Sequence, residues 1–364
     1  MKRNRYIRYI ATAMAVTSVA ACSLIDEDLD DCNNEYLIEY ELRLITNLTT
    51  ELTTQLNTEL STEVDTKLAT ALQEHLKDIF TDRAHDLDLS FFDVVGDSAI
   101  LHHMTDTIDA SQTSYTLFIP ARKYMHTAVA NVVNNKDISV SNNEYCHKGS
   151  LKQVEKDTIN SHTTGLFTAR LPMDILEGQD QTFNVHLYMA NCAMAIVIDT
   201  TGINASKIEI FTSGFATDYH IADSVYTYDR ANETIVRTQE IKVDEGSKVC
   251  FCSVNYPSPE EPLGNVKRRT RSVIETTEPF ISPEADGALW AIHCYVTAQD
   301  GSIAQTMLFV KSTLRAGQFK IIKAYIDPNG VVRTNDTEIA TSVVLQWENG
   351  LIIDNPASQR NARY

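Results

Sequence analysis

The chain has 364 residues, 43% of them apolar, and carries a formal net charge of −18 at pH 7. This length suffices for one large domain or two domains of ordinary size, and the apolar fraction is normal for a protein with a folded core. Because binding to phosphates needs clustered Lys and Arg, the strong negative charge argues against a nucleic-acid partner.

The first 21 residues have the composition of an export signal. Four basic residues among the first eight precede a short apolar run over residues 10–21. This run is too short to cross a bilayer, which takes about 20 residues. Val19–Ala21 stands directly before Cys22, an order typical of the lipobox of bacterial lipoproteins. We predict cleavage between Ala21 and Cys22 and lipid attachment to the Cys22 thiol; an ordinary secreted protein is the alternative.

An acidic tether over residues 22–34 follows the signal. It carries five carboxylates between Asp26 and Asp31, which cannot pack against an apolar core, so we expect it to be solvated. Two or more acyl chains on Cys22 would hold the protein stably at a membrane. An acidic run just after a lipidated cysteine is also similar to the surface-export signal of Bacteroidota lipoproteins. These features predict a protein anchored by lipid in the outer membrane and exposed at the cell surface.

The first predicted strand runs from Tyr36 to about Thr46. Its apolar residues alternate with Glu39, Glu41 and Arg43. A period of two indicates a strand with one buried face and one solvated face. We therefore expect this strand to pack one side against a core directly after the tether.

One helix is predicted from about Thr62 to Thr81. Aliphatic residues recur every four positions from Leu48 to Leu76, and on a helix this spacing drifts by about 40° per step. Only the part after Asp65 places its apolar residues on one helical face. The earlier threonine-rich part stays ambiguous, and the period does not match a coiled coil.

Beyond the helix, the periodic segments are typical of β-structure. Turn signals at Asp300-Gly301 and Pro328–Gly330 separate neighbouring segments near the end of the chain. Many short strands separated by turns predict a mainly β protein of sandwich architecture. The alternating segments lie at 87–92, 115–119, 128–132, 166–171, 183–188, 193–198, 208–211, 225–228, 235–237, 249–254, 289–298, 303–310 and 319–326.

A polar, turn-rich break at Glu177–Gln181 predicts the domain boundary. It separates an N-terminal domain over 35–177, which contains the helix, from a C-terminal domain over 178–350. A tail over 351–364 follows. We also expect Pro172 to end the strand before this break, because proline cannot donate to a ladder.

Six cysteines remain besides Cys22. The export route is oxidising and permits disulfides, but six cysteines allow 15 pairings and the sequence does not choose among them. Buried free thiols, or fewer bridges, are equally consistent with the pattern. Two of the six, at i and i+2, lack a second pair at zinc-ligand spacing, so we interpret them as residues on one face of a strand. The candidate disulfide cysteines are Cys32, Cys146, Cys192, Cys250, Cys252 and Cys294.

The chain shows no motif of a known catalytic or metal centre: no His-Glu-x-x-His, no Gly-x-Ser-x-Gly and no phosphate-binding glycine loop. His102-His103 has no Cys or His nearby at ligand spacing, and we interpret His85 as a structural histidine. The basic run Lys267–Arg271 predicts a solvated loop, with an exposed target of a trypsin-like protease as the alternative. We therefore expect neither enzymatic activity nor a cofactor.

Several segments carry a resemblance to a known family, and they span nearly the whole chain after Cys22. In order and spacing they resemble the FimB-like family of fimbrial anchor and accessory subunits of Bacteroidales. The resemblance implies two tandem transthyretin-like β-sandwich domains with one helix in the N-terminal domain. These segments are Asp30–Cys32, Tyr36, Tyr40, Leu42–Leu44, Thr46–Leu48, Phe80–Asp93, Pro120–His126, Leu187–Cys192, Ala316–Ala324 and Ser342–Trp347.

The resemblance also implies a function. We expect a structural lipoprotein that anchors a fimbrium, and ends it or limits its length, through strand-addition contacts with stalk or accessory subunits. The alternative is a surface lipoprotein that binds or processes glycans. A glycosidase needs two positioned carboxylates in a cleft, and glycan-binding proteins usually expose tryptophans. Trp290 and Trp347 both lie in apolar strand segments, which favours the structural role.

Overall fold

The computed structural model describes residues 35–45, 63–79, 86–93, 101–106, 114–132, 135–141, 149–154, 158–228, 234–242, 246–262 and 287–345. These residues form one helix, α1 (Glu63–Ile79), and 22 strands. The prediction of a mainly β protein with one helix in its N-terminal half is confirmed.

The strands of the first half are β1 (Glu35–Ile45), β2 (Leu87–Asp93), β3 (Leu101–Asp106), β4 (Ser114–Pro120), β5 (Lys123–Ala130), β6 (Ile138–Ser141), β7 (Ser150–Gln153), β8 (Thr158–Asn160), β9 (Phe167–Asp174) and β10 (Gln181–Met189). Those of the second half are β11 (Cys192–Asp199), β12 (Ala205–Ser213), β13 (Asp218–His220), β14 (Val225–Thr227), β15 (Ile235–Arg237), β16 (Gln239–Ile241), β17 (Lys248–Asn255), β18 (Trp290–Ala298), β19 (Ile303–Val310), β20 (Phe319–Ile326), β21 (Val332–Arg333) and β22 (Ile339–Leu345).

Four sheets organise these strands. The first sheet has the order β3-β2-β5-β9-β10-β1-β4, and the middle sheet has the order β16-β17-β11-β20-β21. The outer sheet has the order β22-β19-β18-β12-β15-β8, and the small sheet has the order β14-β13-β7-β6.

The middle sheet contributes to two hydrophobic cores because adjacent residues of a strand point to opposite faces. Ala195 belongs to a core shared with the first sheet and α1. Its neighbour Ile196 belongs to a core shared with the outer sheet, where it joins Ile292 and Leu308. Sheets packed face to face in this way are the arrangement of β-sandwiches.

Helix α1 packs its apolar face into the core between the first and middle sheets, which we call the first core. Leu68, Leu72 and Leu76, at a spacing of four, are at most 3% exposed, and over two turns such residues still share one face. At the end of the helix, the Ile79 carbonyl oxygen accepts a hydrogen bond from the Gly165 N–H at 2.8 Å. The predicted helix is confirmed over Glu63–Ile79, and Phe80 and Thr81 lie outside the described residues. Among the described residues, no helix is long and apolar enough to span a bilayer.

The sheets do not respect the boundary predicted at 177/178. Strand β10 lies in the first sheet between β9 and β1, so Glu177–Gln181 connects two neighbouring antiparallel strands of one sheet. The change from the first to the middle sheet comes later, between Met189 and Cys192. The reason is that a tight turn and a domain linker share the same polar, glycine-containing composition, and Gly178 takes a φ of +68° here.

Strands also cross between the two halves of the chain. The first-half strand β8 pairs in parallel with β15 at the edge of the outer sheet. Conversely, the second-half strand β13 pairs with β7 in the small sheet. The two halves are therefore interleaved, and their separation would break pairs in both sheets.

Pro172 does not end its strand, contrary to the prediction. It pairs with Met125 within β9. The Ile175 N–H donates to the Arg122 carbonyl oxygen at 2.9 Å, and counting along this antiparallel ladder makes the Pro172 position a non-hydrogen-bonded one. Strand β10 pairs with β9 only at Phe167 and Thr168. At a non-hydrogen-bonded position the N–H points away from β5, toward the side where β10 pairs with β9 only at those two residues. The missing N–H of Pro172 therefore removes no ladder bond.

Candidate functional site

The first strand is the candidate functional element, because the sequence places it directly after the predicted lipid tether. In the structure β1 is an internal strand of the first sheet. It pairs in parallel with β10 from Ile38 to Ile45 and antiparallel with β4 from Glu35 to Glu41. Both long sides of β1 are therefore bonded to neighbours, and its place in the sheet is filled by the chain itself.

The two faces of β1 differ as the alternating pattern predicts. Ile38 is fully buried, and it lies opposite Leu117 of β4 on the core face. Glu39 is exposed on the other face and accepts a hydrogen bond from the Thr182 hydroxyl at 3.2 Å. The half-buried strand predicted from Tyr36 to about Thr46 is confirmed and occupies 35–45.

The solvent face around β1 carries two large exposed side chains. Phe118 of β4 lies opposite Leu37 and is 61% exposed, and Tyr188 of β10 lies opposite Ile45 and is 55% exposed. Exposed residues between them on β10 are polar, including Asn184 and His186. The two exposed aromatic side chains on this face are therefore separated by polar ones, and these described residues form no continuous apolar patch.

Four of the six candidate disulfide cysteines are described, and all four are buried free thiols. Cys250 and Cys252 lie on the same face of β17, as the i, i+2 spacing indicates, and belong to the first core. Burial raises the pKa of the Cys250 thiol to about 12 and the pKa of Cys192 and Cys294 further. A buried thiol that keeps its proton is inert, since the thiolate is the reactive form.

This burial predicts a simple titration result. In a chain beginning at residue 23 with Cys32→Ser and Cys146→Ser, we expect no thiol to react with Ellman's reagent under native conditions. In denaturant the four thiols described as free should all react. Rapid reaction of even one thiol in the folded protein would contradict the burial described here. Cys22, Cys32 and Cys146 lie outside the described residues.

Three of the described histidines are buried: His126, His162 and His293. His126 stacks on Phe91 with ring centroids 4.3 Å apart, and its Nδ1 lies 3.0 Å from the Ser90 carbonyl oxygen. Because a carbonyl only accepts, this contact places the imidazole proton on Nδ1. Burial lowers the pKa of His126 to about 4, and the bond to Ser90 opposes that shift only in part. His126 is therefore a neutral structural residue at ordinary pH.

His162 lies at a second buried polar site. Its Nε2 is 3.4 Å from the Gln153 side-chain oxygen, and its ring meets Tyr256 edge to face at 5.2 Å between centroids. Within the described part of the chain, neither His162 Nδ1 nor the Tyr256 hydroxyl has a hydrogen-bond partner. Burial lowers the pKa of His162 to about 4. A proton on Nδ1 would find no acceptor in this part of the core.

The sequence also singled out residues for a metal site, for glycan binding and for protease cleavage. His102 and His103 lie on β3 at the edge of the first sheet, and the described residues contain no cluster of three or more His, Cys, Asp or Glu that fits a metal ion. Trp290 is fully buried and donates to the Ser312 carbonyl oxygen at 2.9 Å. His85, Lys267–Arg271 and Trp347 lie outside the described residues.

The family model of the fimbrillin-A associated anchor proteins Mfa1 and Mfa2 matches residues 49–246, more than half of the chain. A search of curated proteins finds no match at an accepted level of significance.

Solved structures are similar at low identity. The fimbrial anchor protein Mfa2 of Porphyromonas gingivalis is 12% identical with a TM-score of 0.42, covering 88% of this chain and 99% of that one. The tip fimbrial protein Mfa3 of the same organism, truncated at its C-terminus, is 11% identical with a TM-score of 0.41, covering 86% and 100%. A candidate adhesin of Bacteroides ovatus is 11% identical with a TM-score of 0.47, covering 85% and 96%.

Because these TM-scores lie below 0.5, the structures add no argument of their own. The family match confirms the resemblance seen in the sequence and covers α1, β1's two partner strands and most of the first sheet. The chain belongs to the family of fimbrillin-A associated anchor proteins.

Proposed function

We propose that this chain is a structural lipoprotein that anchors a fimbrium at the outer-membrane surface and ends it there. The family match supports a fimbrial role, and the order Val19–Ala21 before Cys22 supports lipid attachment. Its partners are fimbrial stalk or accessory subunits, and the outer membrane through the lipid. The role is mechanical and requires no catalytic residue or cofactor.

The observation that carries the terminating role is the pairing of β1 on both sides. Strand addition needs an open edge or groove, where backbone hydrogen bonds provide affinity. Here β1 occupies its own place in the sheet and begins 13 residues after Cys22. Loss of β1 by cleavage would therefore cut the fold from the lipid. An anchor must keep this strand, so this groove stays closed to a neighbouring subunit.

Contact with the stalk then needs another segment, and we propose the C-terminal tail. Strand β22 is the edge strand of the outer sheet, and the sequence continues for 19 residues after Leu345. Asn349-Gly350 is a turn signal, and Leu351–Ile353 supplies apolar residues before a polar end. The alternative is that Leu351–Ile353 only completes the sheet.

Replacing the predicted lipid site tests the anchoring role. We expect Cys22→Ala to abolish metabolic labelling with a fatty acid and to move the protein from the membrane fraction to the soluble fraction. Cys32→Ala is the matched control and should keep both the label and the membrane association. Fatty-acid labelling and membrane retention of the Cys22→Ala protein would refute the proposed lipid anchor.

Deletion of the tail tests whether it connects the anchor to the fimbrial stalk. Without residues 351–364, we expect a folded anchor that stays in the membrane but releases fimbriae into the medium. Deletion of 355–364, which keeps Leu351–Ile353, should retain them. Mass spectrometry of anchor from assembled fimbriae should find β1 still joined to Cys22. Fimbriae that stay on a folded anchor lacking 351–364 would exclude the tail as the joint.

A further inference from the structure

The middle sheet carries a cavity on the face that it turns toward the first core. The cavity has a volume of about 500 Å³, which is within the range of small-molecule sites. Its apolar floor comes from the buried side chains of Val197 on β11 and Ile321 on β20, both of which belong to the first core. The cavity therefore begins at the border of that core.

A row of polar side chains crosses the sheet beside this floor. Lys248 of β17 pairs with Asp199 of β11, and Asp199 pairs in turn with Tyr325 of β20. Paired residues of neighbouring strands point to the same face of a sheet. Asp199 also lies two residues from Val197, and Tyr325 lies four residues from Ile321, so the row and the floor share one face. All five residues line the cavity.

One wall of the cavity comes from the segment that follows β21. Arg333 of β21 pairs with Tyr325, and the chain then runs through Thr334–Asp336, which lines the cavity. Asn335 is exposed in this segment, and a side-chain amide both donates and accepts hydrogen bonds. Tyr325 is 39% exposed. The cavity therefore combines an accessible aromatic ring with an accessible amide.

The charges of the lining cancel. Two lysines and two aspartates line the cavity, so these residues offer no net charge to an ion: Lys248, Lys323, Asp199 and Asp336. The Asp199 carboxylate accepts hydrogen bonds from the N–H and the hydroxyl of Thr201, at 2.9 and 2.6 Å. A purely apolar ligand is also disfavoured, because it would take these charged groups out of water without replacing their hydrogen bonds.

The backbone of the cavity floor is not open to an extended peptide. Strand β11 is bonded on both sides from Ala193 to Asp199, to β17 and to β20. A ligand on this floor therefore meets side chains rather than the free N–H and C=O groups through which an added strand binds. The lining favours a ligand that is neutral, rich in hydrogen-bonding groups and apolar on one face.

We propose that this cavity binds a neutral saccharide, which gives the chain a glycan-binding site in addition to its structural role. Each sugar hydroxyl both donates and accepts hydrogen bonds, which matches the amide of Asn335 and the neighbouring ammonium and carboxylate groups. The C–H face of a sugar ring is apolar and fits against the floor and the ring of Tyr325. This inference goes beyond the proposed function and does not depend on it.

A tyrosine takes the place that tryptophan has in many glycan-binding proteins. Within the described residues Trp290 is fully buried, whereas Tyr325 offers a flat apolar ring with a polar hydroxyl at the surface. The balanced charges of the lining also predict selectivity. A sulfated or sialylated glycan would bring an unbalanced negative charge, so we expect its neutral counterpart to bind more tightly.

A glycan array probed with the full lipidated protein, purified in detergent, tests the ligand class. The array carries neutral oligosaccharides of glucose, galactose, mannose and N-acetylglucosamine beside sulfated and sialylated ones. We expect binding to neutral glycans in preference to the charged ones. Titration calorimetry with the neutral glycan that gives the strongest signal then measures Kd. Binding that does not favour neutral glycans, or no binding at all, would overturn the proposal.

Three variants locate the site. We expect Tyr325→Ala and Asn335→Ala each to raise the Kd for that neutral glycan about tenfold, through loss of the ring contact and of the amide bonds. Tyr188→Ala removes a tyrosine that is 55% exposed on the first sheet and should leave Kd unchanged.

The urea midpoint of each variant shows whether it folds as the wild type does. Both cavity variants replace exposed side chains, so we expect unchanged midpoints, and if one variant is destabilised the other decides. A Kd that stays at the wild-type value in a folded cavity variant would place the glycan elsewhere and overturn the assignment. Failure of the proposed anchor is read separately, from the membrane fraction of Cys22→Ala.

Discussion

Replacing Ile38 with Asp is expected to detach the first strand from its sheet and to lower the free energy of unfolding by roughly 4 kcal/mol or more. Ile38 is fully buried between β10 and β4. A carboxylate at this position would lie in the core without a cation beside it, and an unpaired buried charge is among the costliest single substitutions. The midpoint of urea unfolding measures the loss.

The neighbouring residue provides the matched control. Glu39 is exposed on the other face of β1, so Glu39→Gln should change the free energy of unfolding by only about 0.5 kcal/mol. Hydrogen exchange gives a second measurement, because a detached β1 leaves the facing edges of β4 and β10 unprotected. Equal midpoints and equal exchange for Ile38→Asp and Glu39→Gln would show that β1 is not held as an internal strand.

Acidification from pH 6.5 to pH 4 is expected to destabilise the fold through two of its buried histidines, His126 and His162. The folded state holds the pKa of His126 and of His162 at about 4, whereas an unfolded histidine titrates near 6.5. Between these values the unfolded state binds more protons, so the free energy of unfolding falls as the pH falls. The contribution of each neutral histidine to the free energy of unfolding is complete above pH 6.5 and is lost as the pH drops through 4. The loss is about 3 kcal/mol for each histidine.

Single variants separate the two contributions. His126→Phe keeps a ring against Phe91, and His162→Gln keeps a polar group near Gln153. Each should reduce the dependence of unfolding free energy on pH between 6.5 and 4 by up to one proton, and the double variant by up to two. Carboxylates that titrate near pH 4 contribute equally to all these proteins and cancel in the comparison. A pH dependence identical in wild type and the double variant would contradict the histidine assignment.

Patterns of local sequence predicted much of the secondary structure. Alternation around Glu39 predicted β1, the four-residue spacing after Asp65 predicted α1, and Asp300-Gly301 predicted the turn between β18 and β19, where Gly301 has a φ of +85°. These succeed because the period of apolar residues reflects which face of an element is buried. The motif of residues around Cys22 likewise predicts lipid attachment from sequence alone.

Local patterns did not predict which strands pair. The partners of β1 come from residues 114–120 and 181–188, far away in the chain. The alternation of apolar and polar residues in a strand does not specify which other strand pairs with it. For the same reason Glu177–Gln181 indicated a domain boundary where the structure has a connection within one sheet. The continuation of β9 through Pro172 also depends on the absence of a β10 partner at that position, which is a property of the sheet.

The candidate functional features also divide into those set by local sequence and those set by tertiary structure. By itself the sequence determined the period of β1 and the face of α1, and it predicts an export signal and lipid attachment at Cys22, because each depends on residues close together in the chain. Only the tertiary structure decided that β1 is bonded on both sides and that the four described cysteines are buried thiols. Sheet order and burial arise from contacts between distant segments, whose free energy depends on all the partners together.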